Sequence, residues 1–273
     1  MCQVVPARGP LIAAFSLLAL VSGAVAQTPA PPDFSSNHAG WIATGNDFIA
    51  LAQGPKPVTF DPAHPYVPNN PSRQATFRVA DLSNPNLLPW AKEAMRKANQ
   101  AVLAGKIAFT PRSSCVPSGT PAFMLFIVEP IYFVQGKHEV DLIYSGDQQV
   151  RHVYLDVPHS ADPKPSWYGE SVGRYEGDAL LIDTIALNDK TFVDNYRTPH
   201  TDKLHVSERW RLADGGKTLE VAFTVDDPGT FVAPWSGLQR YRRIQAPMSE
   251  QVCAENNAVG YDFHIPFADK PDF

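Results

Sequence analysis

The stretch LHVSERWRLADGGKTLEVAFTV, residues 204–225, decides the fold. It contains two runs, 204–212 and 218–225, in which apolar and polar residues alternate. A period of two is typical of β-strands that bury one face. The residues between the runs, Asp214-Gly215-Gly216-Lys217, have the composition of a hairpin turn. The two runs are therefore predicted to be antiparallel neighbours.

The same alternation recurs along the chain from Phe123 onward. It marks further strands at 131–135, 139–144, 149–157, 171–175, 179–185 and 238–244. Glu176-Gly177-Asp178 is a second hairpin turn. Many short strands with little helix predict a mainly β fold, an antiparallel lipocalin-like barrel or a sandwich. Because a closed barrel of about eight strands has room for one small ligand, we expect an interior cavity.

The N-terminus has the pattern of an export signal. Arg8 precedes an apolar run at 11–21, and Ala24-Val25-Ala26 supplies the small residues of a cleavage site. Residues 1–26 are therefore predicted to be a signal peptide and the protein to be periplasmic or secreted. Cys2 stands before the apolar run, where it does not fit a lipoprotein anchor, and no segment is long enough to span a membrane.

Residues 27–84 are rich in proline and turn residues, so we expect an irregular arm that wraps the domain. Five of its residues are apolar enough to dock: Trp41, Ile42, Phe48, Ile49 and Leu51. A single helix is predicted next, because Pro89 suits a first helical turn, apolar residues follow at helical spacing, and Gly105 supplies a stop. Residues 85–273 are predicted to form one β-rich domain.

Charge and cysteine content limit the partners. The net charge of −5 becomes −6 once Arg8 leaves with the signal, and no basic run is present, so nucleic acid is not an expected partner. Two cysteines remain, Cys115 and Cys253. In an oxidising compartment they are predicted to form a disulfide that contributes about 4 to 5 kcal/mol. A catalytic thiol is the alternative.

Two carboxylates interrupt apolar strand faces. Glu208 shares its face with Leu204, Val206, Trp210 and Leu212, and Asp183 lies between Leu181 and Ile185. Burial raises the pKa of such an acid unless an arginine offsets it. Arg240 and Arg242 are the candidate partners. A structural ion pair is the alternative to a catalytic role.

Strand 149–157 carries three groups able to transfer protons on one face, His152, Tyr154 and Asp156, and His159 follows directly. Imidazole titrates near neutral pH, a carboxylate fixes its tautomer, and a tyrosine donates to developing negative charge. The candidate catalytic set therefore comprises His152, Tyr154, Asp156, His159, His205, Glu208 and Arg209. An ordinary solvated strand face is the alternative.

His200, Asp202 and His205, joined by His152 or His159, form a loose set of zinc ligands. Their spacing is not that of a typical metal site, so we favour acid–base chemistry without a metal. Nucleotide-binding and haem motifs are also absent from the sequence, which predicts chemistry without a cofactor.

Residues 169–173 read Gly-Glu-Ser-Val-Gly, which matches the motif of a serine-hydrolase nucleophile. That motif requires a helix after the serine, whereas a β-hairpin is predicted here. We expect these and neighbouring residues to border the ligand site and aromatic side chains to form its walls. The candidate substrate-binding residues are Trp167, Tyr168, Glu170, Ser171, Asp183, His200 and Trp210.

Three segments carry a family resemblance: VRHVYL at 150–155, SWYGESVGRYEGD at 166–178 and PHTDKLHVSER at 199–209. They resemble a family of exported, mostly proteobacterial proteins of unassigned function. The resemblance covers roughly residues 113–235. It implies that these segments form one unit, and it assigns no catalytic residue.

Two functions fit these patterns. The first is a cofactor-independent lyase, isomerase or hydrolase. In it His152 or His205 moves a proton, Glu208 or Asp156 orients that histidine, and Arg209 or Tyr154 stabilises an oxyanion. Its substrate is expected to be small, apolar and oxygenated, for example a lignin-derived aromatic compound. The second is a periplasmic, lipocalin-like carrier. An envelope scaffold with a filled interior is a third possibility.

Overall fold

In the computed structural model, the described residues are Met1, 30–35, 39–66, 78–106, Pro111, 115–127, 129–146, 149–248, Glu250 and Val252. The chain divides into two compact units, Met1–Ala30 and Pro31–Phe273. Apart from Met1, the predicted signal peptide lies outside the described residues, and so does Cys253. Among the described residues, no helix is both long and apolar enough to cross a membrane.

The second unit contains ten described strands and one α-helix. The strands are β1 Ala39–Ala43, β2 Ile49–Ala50, β3 Ile131–Gln135, β4 Glu139–Tyr144, β5 Gln149–Leu155, β6 Glu170–Glu176, β7 Ala179–Ile185, β8 His205–Ala213, β9 Thr218–Asp226 and β10 Trp235–Gln245. The helix, α1, is Pro89–Leu103, and short 3₁₀ turns occur at Ala122–Leu125 and Asp214–Gly216.

The strands close into a barrel. β1 pairs with β3, the strands β3 to β10 follow in sequence order, and β10 pairs back with β1. The ring therefore contains nine strands, and β2 pairs with the first half of β10, beyond the end of β1. The predicted lipocalin-like barrel is confirmed. The hairpin turn at 214–217 joins β8 and β9, whose antiparallel register extends from His205 opposite Asp226 to Ala213 opposite Thr218.

One pair of strands departs from the antiparallel prediction. β5 and β6 are parallel, with Val153 opposite Ser171 and Leu155 opposite Gly173. Parallel neighbours need a long crossover instead of a hairpin, and residues 156–169 supply it. The barrel is therefore mixed. This crossover carries His159 back over the outer face of the barrel.

The proline-rich arm is partly regular, because it contributes β1 to the ring. Trp41 of β1 is fully buried, and its indole nitrogen donates a hydrogen bond to the carbonyl oxygen of Phe34 at 2.7 Å. Phe48 packs against Phe223, with ring centroids 4.5 Å apart. The predicted docking is thus confirmed for Trp41, Ile42 and Phe48, which are buried, whereas Ile49 and Leu51 are exposed. The arm completes the barrel.

The interior of the barrel is packed with side chains. The ring of Trp210 contacts those of Phe133 and Tyr241, with centroids 5.5 and 5.6 Å away. The 3₁₀ turn adds Phe123, Met124 and Leu125, all buried. Aromatic contacts at these separations leave no ligand-sized space between the rings. The aromatic contacts therefore occupy space where an interior cavity was expected.

α1 begins with Pro89 in its first turn, as predicted, and ends just before Gly105, whose φ is +77°. Its buried face carries Ala91 and Met95, which join the core of the barrel. Asn99 is also buried, and its amide group bonds both the N–H and the C=O of Ala80. The helix therefore also fixes the extended segment that precedes it.

Candidate functional site

Glu208 points into the barrel and binds Arg151. Its two carboxylate oxygens accept hydrogen bonds from the guanidinium of Arg151 at 2.7 and 3.0 Å, and Trp210 donates a third at 2.7 Å. Arg151 also donates to Ser171 and Thr184. Both charged side chains are almost completely buried. The arrangement is a fully hydrogen-bonded ion pair inside an apolar core.

The partner of Glu208 is therefore Arg151, and neither Arg240 nor Arg242 as predicted. Because side chains alternate along a strand, Arg240 projects outward from β10, where it binds Glu220 on β9 at 2.8 Å. The predicted catalytic histidines are also outside the barrel. The structure does not bring Glu208 together with His152, His159 or His205 in one interior pocket.

Two of those histidines do meet, on the outer face of β6, β7 and β8. The carboxylate of Asp183 lies 2.6 Å from Nε2 of His205 and 2.9 Å from Nε2 of His159. Nδ1 of His159 lies 3.0 Å from Glu170, which also accepts two hydrogen bonds from Ser160. We call these four residues, Glu170, His159, Asp183 and His205, the outer histidine cluster.

The contacts of the outer histidine cluster define its protonation. Partial burial acts to raise the pKa of Asp183, but hydrogen bonds from His205 and His159 outweigh it and hold that pKa below the ordinary value. Hydrogen bonds from Ser160 lower the pKa of Glu170. Both acids are therefore acceptors at neutral pH. His159 then donates from both nitrogens only when protonated, whereas His205 needs a single proton on Nε2.

Asp183 also lines a groove on the outer surface of the barrel. The register of five strands sets Val172, Asp183, Ser207, Thr224 and Ser236 side by side. A second row lies two residues away on four of these strands, on the side of the β6–β7 turn. It contains Arg174, Leu181, Arg209 and Ala222. The groove has a volume of about 690 Å³, and Leu51 and Val157 also line it. We call it the outer groove.

The two ends of the outer groove differ in charge. Arg209 contacts Glu176 at 3.7 Å and Asp178 at 3.4 Å, at the β6–β7 turn. Arg174 also contacts Glu176, at 3.4 Å. Apolar Leu181 lies between Arg174 and Arg209 in the arginine row, and Asp183 lies two residues further along the same strand, β7. A ligand in the outer groove would thus meet an acid–base group at one end and cations at the other.

His152 and Tyr154 lie outside the outer histidine cluster. Both are exposed on β5, with their rings stacked 6.3 Å apart. His152 faces Glu139 and Asp141 on β4. Asp156 follows β5 with a φ of +57° and lines the outer groove. Of the predicted catalytic residues, the structure thus brings His159 and His205 together and places Asp156 and Arg209 in the adjoining groove.

His200 belongs to the interior of a loop. Its Nδ1 donates to the carbonyl oxygen of Thr201 at 3.0 Å and its Nε2 accepts from Thr191 at 2.8 Å. Burial lowers its pKa, so the imidazole is neutral at neutral pH. Both nitrogens are occupied, and His205 binds Asp183. The alternative zinc set built on His200, Asp202 and His205 is therefore not assembled.

The remaining predicted substrate-binding residues have packing roles. Ser171 faces inward on β6 and bonds Arg151, and the strand continues beyond it, which agrees with the rejection of a nucleophile turn. Tyr168 packs edge-on against Phe123, and Trp210 is fully buried. Trp167 is half-buried, with Lys190 over its ring. None of these four residues lines the outer groove.

Sequence reasoning missed Arg151 and the floor of the outer groove. A signal for Arg151 was present, because it shares a strand face with Val153 and Leu155, as Glu208 does with its apolar neighbours. The floor residues Val172, Leu181 and Ser207 carry no motif, and they become neighbours only through strand register. No family model, curated protein or solved structure matches the chain, so the functional argument rests on this geometry.

Proposed function

We propose that this protein is a cofactor-independent acid–base enzyme that acts in the outer groove, with His205 as the proton-transferring group. One observation carries the proposal: the Asp183 carboxylate binds two imidazoles and itself lines the outer groove. His205 and His159 are not lining residues, and they adjoin the groove through Asp183. A carboxylate that fixes the tautomer of a histidine beside a ligand-sized groove is the arrangement that general acid–base catalysis requires.

His205 is the better base of the two histidines. Its Nε2–H donates to Asp183, and no described residue forms a hydrogen bond with Nδ1. Nδ1 therefore has a lone pair available to accept a proton from the substrate, and the imidazolium formed would be stabilised by Asp183. His159 already shares both nitrogens with Glu170 and Asp183. Its role is to hold Asp183 in place.

Arg209 serves substrate binding in this proposal. It lies four residues beyond His205 on β8, which at the rise of a strand is about 13 Å between Cα atoms. At that separation its guanidinium meets the far end of a small substrate, and it does not reach the atom that loses a proton to His205. Leu181 and Ala222 flank Arg209, and Val172 lies in the row between Arg209 and His205. These apolar side chains favour a small, apolar, oxygenated substrate, for example an aromatic one, with a polar group at each end.

The remaining parts of the proposal follow from the sequence. Residues 1–26 are proposed to be a signal peptide that exports the protein, and Cys115 and Cys253 are proposed to form a disulfide. Lignin-derived aromatic compounds are the candidate substrates in such a location. Lyase or isomerase chemistry is favoured over hydrolysis, because Ser171 binds Arg151 inside the barrel and is not presented to a substrate.

The test is a screen of the purified protein against small aryl alcohols, ethers and esters, with products followed by mass spectrometry. On a compound that is turned over, His205→Gln is expected to lower kcat by about 10²-fold or more with little change in KM, since proton transfer contributes about 10² to 10⁴. Asp183→Asn is expected to lower kcat less and to alter its pH profile.

His64→Gln is the matched control. His64 also pairs with an aspartate, Asp61, at 3.1 Å, but Asp61 does not line the outer groove as Asp183 does. That variant should keep wild-type activity. Full activity of His205→Gln on a confirmed substrate would remove the assignment. Saturable binding of these compounds without any product would instead support a carrier.

A further inference from the structure

A second group of titratable side chains lies on the outer face of β4 and β5. Glu139 and Asp141 are two residues apart on β4, so they project from the same face of the barrel. His152 on β5 stands directly opposite Asp141 in the strand register. All three side chains are partly exposed. Neither the fold nor the proposed chemistry of the outer groove accounts for their convergence.

The three side chains present ligand atoms to one point. Nδ1 of His152 lies 2.5 Å from Oε1 of Glu139 and 2.9 Å from Oδ1 of Asp141. One atom from each of the three lies within 4.8 Å of the other two, and in the described part of the chain this is the group that meets that condition. Nitrogen from imidazole and oxygen from carboxylates are the donor atoms that divalent transition metals bind.

A second observation shows that this site has more acceptors than donors. The hydrogen bond of Nδ1 is directed at Glu139. Oδ1 of Asp141 is buried and has no hydrogen-bond partner among the described residues, although the same nitrogen is 2.9 Å away. A buried carboxylate oxygen without a donor is unusual in proteins and calls for a bound water or ion.

The electrostatics indicate the same need for positive charge. Two carboxylates that share one imidazole proton repel each other, and a cation between them would relieve both the repulsion and the unmet acceptor.

We propose that Glu139, Asp141 and His152 form a binding site for one divalent transition-metal ion, with Zn²⁺ as the best match. Calcium prefers six to eight oxygen ligands and is a poor match to a site with an imidazole. Zinc accepts three protein ligands and completes its coordination with water. The metal would join β4 to β5 through ligands from both strands.

The site requires only a small adjustment to hold zinc. Tetrahedral zinc with bonds near 2.1 Å sets its ligand atoms about 3.4 Å apart. The two separations from Nδ1 are shorter, so the carboxylates must move outward by less than about 1 Å, which half-exposed side chains can do. The Tyr154 ring stacks on His152 with an interplanar angle of 10° and holds the imidazole in its orientation.

This site is separate from the outer histidine cluster. In the strand register Glu139 stands opposite Tyr154, Tyr154 opposite Val172, and Val172 opposite Asp183. Three strand spacings, on the order of 14 Å, therefore lie between Glu139 and Asp183. The metal site does not depend on the proposed enzyme activity, and its test does not require a substrate.

The experiment is calorimetric titration of the untagged, chelator-treated protein with ZnCl₂ near pH 7.5. One zinc per chain is expected, with binding that weakens as pH falls because protons compete for the ligands. Asp141→Asn and Glu139→Gln should each weaken binding by roughly tenfold or more, and His152→Gln should do the same. Zinc should also raise the Tm of the wild type more than that of the three variants.

Asp61→Asn is the matched control, because Asp61 pairs with His64 without a second acid. It should leave zinc binding unchanged. Circular dichroism of each variant verifies folding, and the exposed Glu139→Gln keeps the test valid if Asp141→Asn unfolds. The proposal is overturned if no zinc binds, if zinc binds equally to wild type and the three ligand variants, or if Ca²⁺ or Mg²⁺ binds as tightly as zinc.

Discussion

Arg151 and Glu208 show at the scale of single residues how a polar group is retained in a β-barrel core. The guanidinium donates to both oxygens of the acid and to two hydroxyl groups, and Trp210 supplies a further donor. Every strong polar group in the pair therefore has a partner. Such a network is stable while complete, and the loss of one member leaves a buried charge without compensation.

We predict that Glu208→Gln destabilises the protein by about 3 to 5 kcal/mol, because Arg151 keeps its charge inside the core. Urea denaturation of wild type and variant measures the difference in free energy of unfolding. Replacing both residues by methionine should recover part of the loss, since no buried charge then remains. A loss below about 1 kcal/mol for Glu208→Gln would show that water reaches the pair.

Half of this pair was predictable from sequence, and the other half shows what limits the prediction. Alternation identified Glu208 as an acid on an apolar face. The same rule places Arg151 on the inward face of β5, but the two residues are 57 positions apart and no local pattern links them. Only the strand order brings them together. A search for oppositely charged residues on apolar strand faces would have found Arg151.

Asp194 is a buried acid whose ionisation opposes folding. It accepts hydrogen bonds from Thr198 and from the N–H of Tyr196, yet its burial outweighs them and raises its pKa to about 6. The unfolded chain releases this proton near pH 4, before the folded chain does. Between pH 4 and 6 the folded state binds more protons, so the contribution of Asp194 to stability falls as pH rises.

The predicted size of this effect is on the order of 3 kcal/mol between pH 4 and pH 7. It is measured as the free energy of unfolding of the wild type minus that of Asp194→Asn, over this pH range. The variant removes the titrating group, so the difference isolates its contribution. A difference that grows in favour of the wild type as pH rises would contradict the assignment.

At the scale of elements, the strands were more predictable than their partners. Seven of the predicted strands, from 131–135 to 218–225, match β3 to β9 within two residues at each end, because alternation reports which residues face the core. The parallel pairing of β5 with β6 and the recruitment of β1 were not predicted. Both depend on contacts between segments far apart in sequence, which a local pattern does not record.

Gly173 is the residue that permits the parallel pair to approach its neighbours. A Cβ at this position would lie 2.7 Å from the carbonyl oxygen of Leu181 on β7 and 2.8 Å from a methyl group of Val153 on β5. The carbonyl oxygen of Leu181 belongs to the backbone, so it cannot move aside by a side-chain rotation. Gly173→Ala must therefore displace β6 from one of the strands beside it.

We predict that Gly173→Ala lowers the free energy of unfolding by roughly 1 to 3 kcal/mol, as is typical of overpacking. Gly45→Ala is the control, because the nearest atom to its added methyl group is 3.9 Å away. That change should stay within about 0.5 kcal/mol of the wild type. Equal Tm values for the two variants would show that β6 adjusts without cost.

At the scale of the whole molecule, the joint between β1 and β3 is the shortest pairing in the ring of described strands. β1 pairs with β10 along its full length, from Ala39 opposite Gln245 to Ala43 opposite Tyr241, but it pairs with β3 only where Trp41 stands opposite Ile131. By contrast, β8 and β9 pair over nine positions. The β1–β3 joint is therefore the place where the ring opens at the lowest free energy.

Native-state hydrogen exchange should detect this opening. The amides of β1 are expected to exchange through local opening, at a free energy below that of global unfolding, whereas those of β8 and β9 exchange only when the molecule unfolds.

Trp41→Ala removes the buried ring that fixes β1. It should lower the free energy of unfolding by about 3 to 5 kcal/mol and further reduce the protection of β1 amides from exchange. Ile49, exposed on β2, provides the control, because Ile49→Ala should leave β1 protected. If β1 exchanged as slowly as β8 in the wild type, the joint would be as strong as the rest of the ring, and the N-terminal arm would be an integral part of the folding unit.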